Sequence, residues 1–103
     1  MTAHVDTFAR DRLPPPALMP ELIFELPELQ FPPLLNTTAA LLDRRVAEGD
    51  GDRHAVMGTG VRWTYAELQA QANRIARVLV DDMGLVPGNR VLLRGANTPM
   101  LAA

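Results

Sequence analysis

The sequence predicts an α/β fold, and three observations carry that expectation. Thr64 and Glu67 have the spacing of a capping box at a helix start. Just before them lie two short runs, HAVMG and VRWT, joined through Gly58, Thr59 and Gly60, which is a hairpin signal. Just after that helix comes RVLLR, a short apolar run that reads as a strand, and then the start of a further helix. Helix, strand and next helix in this order form the opening of a βαβ pattern.

The elements follow in chain order. Residues 1–36 read as an extended proline-rich arm, because seven of the nine prolines fall there. Proline lacks an N–H and pushes its predecessor toward extended geometry, so no long helix is expected. One helical turn is expected near Glu21–Glu25. Leu18, Leu22, Ile23, Phe24, Leu26, Leu29 and Phe31 lie between the prolines and require a surface to cover. Residues 37–103 read as the body. Asn36 or Thr37 caps a helix, TTAALLDRRVAEG, with Ala40, Leu41, Val46 and Ala47 facing inward and Asp43, Arg44 and Arg45 wet. Gly49 stops it.

The capped helix then runs from Tyr65 to about Asp82. Leu68, Ala72, Ile75 and Leu79 share one face, with Gln69, Gln71, Arg74 and Arg77 mainly elsewhere. Gly84 is a stop and Pro87-Gly88 a turn. Asn97 or Thr98 caps the last helix, with Pro99 in its first turn. The chain ends just inside that apolar helix, so a truncated βαβ pattern is expected.

Composition narrows the function classes. The chain has 103 residues, 48% hydrophobic and 21% charged, which is globular rather than disordered. The net charge is −2, so there is no basic excess for nucleic acid or for an anionic membrane surface. No apolar run nears the ~18 residues of a membrane span, and the N-terminus has no secretory apolar core. A cytoplasmic location is expected. There is no cysteine, which removes disulfides, thiolate zinc sites and a thiol nucleophile. All ten basic residues are arginine. A Walker-type phosphate loop and Schiff-base chemistry both need lysine, so neither is present here.

Candidate sites each meet a simpler reading. The loop GANTP lies between a strand and a helix, where ligands bind in open α/β sheets, but capping explains it. Asp50-Gly51-Asp52 is spaced like the opening of a calcium loop, yet His54 and Val61 stand where later ligands belong, so it reads as a turn. Asp81 and Asp82 are adjacent on a helix and point apart, which fits a solvated end. His4 and His54 lack metal-site spacing. Trp63 and Tyr65 flank the cap, where one packs beneath the helix as a staple. The stretch LPPPALMP has no PxxP register, which favours an intramolecular arm over an SH3 ligand. No catalytic, cofactor-binding or metal-binding residue is assigned.

The motif order WTYAEL, NRIARVL and GLVPGNRVLLRGANTP resembles the N-terminal region of adenylate-forming (AMP-binding) enzymes: acyl-CoA synthetases, luciferases and peptide-synthetase adenylation domains. The upstream DTFARDRLPPP and FPPLLNTTAALLD look more like the aryl-CoA ligase branch, with benzoate–CoA and 2-aminobenzoate–CoA ligases as examples. The resemblance implies that residues 37–103 are an incomplete N-terminal piece of the large synthetase domain. It implies ATP, Mg and CoA for the parent enzyme, with a small aromatic acid as substrate and the rest of the synthetase chain as partner. The family's Ser/Thr/Gly-rich phosphate loop, ribose-binding aspartate and C-terminal lysine have no matching positions here. The piece alone is therefore expected to be inactive. Two alternatives stay open: a small interaction module that uses the proline-rich arm, and a fragment of a fatty acyl-CoA synthetase or carrier-loading relative.

Overall fold

The computed structural model describes residues 3–103. The chain divides into two compact units. One is the arm as far as Leu35 together with Val86–Asn89. The other is Asn36–Leu85 with Arg90–Ala103.

Within the first unit the arm is locally ordered. Helix α1 spans Phe8–Asp11. The Asp6 Oδ1 atom accepts the Phe8 N–H at 2.9 Å, and the Thr7 hydroxyl donates to Asp11 Oδ2 at 2.7 Å. The Arg12 guanidinium lies 3.7 Å from the Phe8 ring centroid, a cation–π contact. Single 3₁₀ turns form at Pro16–Leu18 and Pro27–Leu29, each opening on a proline, where the missing N–H costs nothing. The turn expected near Glu21–Glu25 does not form. Pro27 holds Leu26 extended (φ −71°, ψ 136°), and no helical bond precedes it. Instead, Phe24 and Phe31 meet edge to face at 6.4 Å, and the Gln30 side chain donates to the Phe24 carbonyl. The arm's apolar side chains, Leu18, Leu22, Ile23, Leu26 and Phe31 among them, are exposed.

The arm closes on a distant turn. The Val5 and Asp6 N–H groups both donate to the Pro87 carbonyl, at 2.8 and 2.9 Å. Asn89 Nδ2 donates to Asp6 Oδ2 at 2.8 Å, while Asn89 Oδ1 accepts the Val86 N–H at 2.9 Å. Gly88 has φ 98°, and a Cβ there would overlap the Asp6 carbonyl. The Pro87-Gly88 turn forms as the sequence predicts; its partner could not be foreseen.

In the second unit, helix α2 covers residues 37–50. Asn36 is its cap, accepting the Ala39 N–H on Oδ1 at 3.0 Å. The helix is wide: the Arg44 N–H reaches the Ala39 carbonyl, five residues back. The expected stripe is met in part: Ala40 and Val46 are half-buried and Arg44 and Arg45 exposed. Leu42 is the buried residue, whereas Leu41, expected inward, is 67% exposed and Ala47 is exposed. Asp43, expected wet, is half-buried and accepts from Gln69 Nε2 at 2.8 Å. Gly49, at φ 96°, breaks the helical path where the sequence places the stop.

Strands β1 (His54–Gly58) and β2 (Val61–Thr64) pair antiparallel through Gly60, with φ 71°. Ala55 is the extra residue of a bulge between the His54–Thr64 and Val56–Trp63 pairs. Helix α3 spans Tyr65–Arg77 and continues, again as a wide turn, through Val78–Asp82. The capping box is present: Glu67 N–H to Thr64 Oγ1 at 3.2 Å, and Thr64 N–H to Glu67 Oε2 at 2.8 Å. Thr64→Ala is expected to destabilise this helix by about 1 kcal/mol, read as faster amide exchange in residues 65–69. Leu68, Ala72, Ile75 and Leu79 are half-buried on one face, as the periodicity requires. Gln69 and Gln71 are half-buried as well, a departure explained by their partners Asp43 and Met100. Gly84 (φ 66°) lets the Leu85 N–H return to the Leu79 carbonyl, which closes the helix.

The expected strand RVLLR is not a strand. A strand exists only by pairing, and the sheet among the described residues is the two-stranded hairpin. Leu92 is 94% exposed and Leu93 70%. Helix α4 follows at Pro99–Ala102. It opens on proline as expected, but neither Asn97 nor Thr98 caps it through a side chain. Helices and a hairpin together give a mixed helix-and-strand segment. Leu42, 9% exposed, is the most buried side chain among the described residues, and none is fully buried.

Candidate functional site

The N-terminus of α3 is one place where an anion could bind, and its donors are already used. The Tyr65 N–H donates to the Arg53 carbonyl at 3.0 Å, the Ala66 N–H to the Gly51 carbonyl at 3.0 Å, and the Glu67 N–H to the Thr64 hydroxyl. Three of the groups that would grip a phosphate are therefore satisfied by protein. The turn Asp50–Arg53 supplies both of those carbonyls, the Gly51 one from within the Asp50-Gly51-Asp52 stretch. Asp50 accepts from Arg53 at 3.4 Å and pairs with Arg45 at 3.6 Å. Its carboxylate fixes the turn that closes the helix. Among the described residues no group of three or more His, Cys, Asp or Glu is placed to hold a metal ion.

The remaining candidates fall apart in space or into structural roles. His54 opens β1 and is exposed, and Asp81 and Asp82 lie exposed at the end of α3. Trp63 lies against one side of α3, beside Glu67, Ala70, Gln71 and Arg74. Tyr65 takes another side, in a groove of about 310 Å³ that also includes Thr37, Leu42, Ala55, Leu68 and Ala72. Both aromatic residues thus pack along the helix they flank.

The GANTP loop does not sit in a strand-to-helix crevice, because residues 90–95 form no strand. It packs against β1 instead. Asn97, Thr98 and Pro99 line a hollow of about 320 Å³ with Val56, Met57 and Gly58. A Cβ on Gly58 would come within 2.8 Å of the Pro99 ring. That close approach makes Gly58 a seat for α4, a role the hairpin signal alone did not reveal.

The arrangement positions helices around the hairpin. A comparison with family models decides what framework it is: the AMP-binding enzyme model matches residues 43–103. The chain belongs to the AMP-binding enzyme family. The match covers the hairpin, α3, the Pro87-Gly88 turn and the GANTP loop, the same stretch that carries the motif order.

Curated relatives agree with the family. The chain is 45% identical over 56 residues to surfactin synthase subunit 1 of Bacillus subtilis, covering 54% of this chain and 2% of that protein. It is 55% identical over 40 residues to surfactin synthase subunit 2 of the same organism, covering 39% of this chain and 1% of the relative. With acetyl-coenzyme A synthetase of Burkholderia lata it shares 41% identity over 64 residues, 57% of this chain and 10% of the relative. The chain therefore spans a small fraction of the length of these relatives. No solved structure matches it.

The residues present do not fit a nucleotide. The chain has neither lysine nor serine, its glycines are spread among turns, and the N-terminus of α3 is closed by Arg53, Gly51 and Thr64. No helix among the described residues is long and apolar enough to cross a membrane.

Proposed function

We propose that these residues are the front framework of an adenylate-forming ligase that activates an aromatic carboxylate as its acyl-adenylate and passes the acyl group to the thiol of CoA. The observation that carries this reading is the family match over residues 43–103. The acetyl-coenzyme A synthetase relative supports a CoA ligase. The upstream stretches DTFARDRLPPP and FPPLLNTTAALLD, with their likeness to aryl-CoA ligases, support an aromatic acid. Adenylation turns a carboxylate into an acyl donor with a good leaving group and divides one difficult transfer into two steps. In this reading residues 37–103 contribute shape: the capped helix, hairpin and turn hold a wall of the synthetase domain, and the reacting groups come from other parts of the enzyme. The cytoplasm is the proposed location.

The surfactin synthase relatives favour a second reading, in which the activated acid is loaded on a carrier-bound thiol instead of CoA. ATP–pyrophosphate exchange by the intact protein separates the cases, with benzoate, 2-aminobenzoate, acetate, a long-chain fatty acid and amino acids offered in turn. Exchange driven by benzoate or 2-aminobenzoate, followed by CoA-dependent formation of the aryl thioester, is expected. Exchange with another acid alone would remove the aromatic assignment. Exchange without CoA acylation would favour the carrier reading, and no exchange with any acid would overturn the ligase assignment.

A further inference from the structure

The contacts between the start of the arm and the Val86–Asn89 turn have a feature that packing alone does not explain. They are polar and convergent. Two successive N–H groups, Val5 and Asp6, share the Pro87 carbonyl. Asn89 uses both ends of its amide: Oδ1 accepts the Val86 N–H and fixes the turn, and Nδ2 donates to Asp6 Oδ2. Asp6 likewise uses both oxygens, the other one accepting the Phe8 N–H at the start of α1. At the centre Gly88, at φ 98°, leaves room for the Asp6 carbonyl where any side chain would overlap it. These partners stand 83 residues apart in sequence.

Apolar burial contributes little here. Val5 is 71% exposed and Phe8 47%, and α1 has no buried residue. A segment held mainly by polar contacts, with little buried apolar area, opens at low cost compared with a packed element. We propose that residues 5–12 form a releasable strap, fastened on the Pro87–Asn89 turn by the Asp6–Asn89 pair, which opens while the capped helix α3 stays folded. The strap is a conformational device: closed, it orders the first turn of the arm; open, it frees the arm from Val5 onward.

An exchange of partners tests this. Asn89→Asp keeps the acceptor that fixes the turn but sets a second carboxylate against Asp6 in place of the amide donor. Adding Asp6→Asn restores a donor–acceptor pair with the direction reversed, and the amide of that variant still offers an oxygen to the Phe8 N–H. Amide hydrogen exchange is followed in the intact protein. In the native protein the Val5 and Asp6 amides are expected to be protected. Asn89→Asp should speed their exchange by roughly tenfold or more, the scale of one lost hydrogen bond, and the double variant should restore most of the protection. The Glu67 amide, held by the capping box, serves as the folding control and should stay unchanged throughout. Unprotected Val5 and Asp6 amides in the native protein would overturn the strap. So would Asn89→Asp without effect, loss without recovery in the double variant, or parallel loss at Glu67.

Discussion

Gly88→Ala is expected to detach the beginning of the arm from the Pro87 turn. Two independent costs act at this position. The backbone φ of 98° is one that residues with a Cβ adopt only with strain. The new methyl group would also occupy the space of the Asp6 carbonyl oxygen, and a backbone atom cannot swing aside like the end of a flexible side chain. Together the two effects amount to about 3 kcal/mol. The strap is held by hydrogen bonds worth about 1 kcal/mol each, so this cost is enough to open it. Trypsin gives a clean reading, because the chain has no lysine and cleavage can occur only after arginine. Arg10 and Arg12 lie in the strap, whereas Arg74 and Arg77 lie on α3. Cleavage after Arg10 and Arg12 should accelerate in Gly88→Ala, with cleavage after Arg74 and Arg77 unchanged. Unaltered rates at Arg10 and Arg12 would show that the turn tolerates a side chain and that the arm does not approach it closely.

Leu42→Ala is the second large effect. Leu42 is the one buried side chain among the described residues and faces Tyr65, Leu68 and Ala72 across the groove between α2 and α3. Removing a buried leucine side chain costs 2–5 kcal/mol, depending on how far the site collapses. Here the groove already opens beside it, so water can enter and the loss should sit near the lower end, about 2 kcal/mol. The neighbouring Leu41 is the control, since it is 67% exposed and Leu41→Ala should change stability by less than about 0.5 kcal/mol. Amide exchange along α3 in the intact protein measures both. Equal effects from the two substitutions would mean that the helix presents the stripe expected from ordinary helical spacing, and that the wide turn at Ala39–Arg44 is not the native geometry.

The same pair of leucines shows how far the candidate site could be read in advance. That α2 is a helix was legible, because Asn36 caps it and Gly49 ends it, and both signals act over a few residues. Ala40, Val46, Arg44 and Arg45 lie as the spacing requires, but which leucine turns inward was not legible, because a five-residue hydrogen bond leaves no mark in the sequence. How the N-terminus of α3 is occupied was only half legible. Thr64 and Glu67 announce the capping box, but nothing in their neighbourhood indicates that the Gly51 and Arg53 carbonyls take the two preceding N–H groups.

The sequence by itself determined the features whose partners are close along the chain. These are the capping box at Thr64, the hairpin from His54 to Thr64, and the glycines that end α2 and α3 or turn the chain at Pro87-Gly88. Their energetics depend on backbone angles and hydrogen bonds among neighbours, which residue identity nearly fixes. Tertiary structure alone decided that Asp6 meets Asn89, that Leu42 rather than Leu41 turns inward, that Gly58 seats Pro99, and that RVLLR stays unpaired. Each of these needs a partner far along the chain or a second strand. The physical reason is that an apolar run or a polar side chain states what it can pair with, while only the folded chain brings a particular partner within reach.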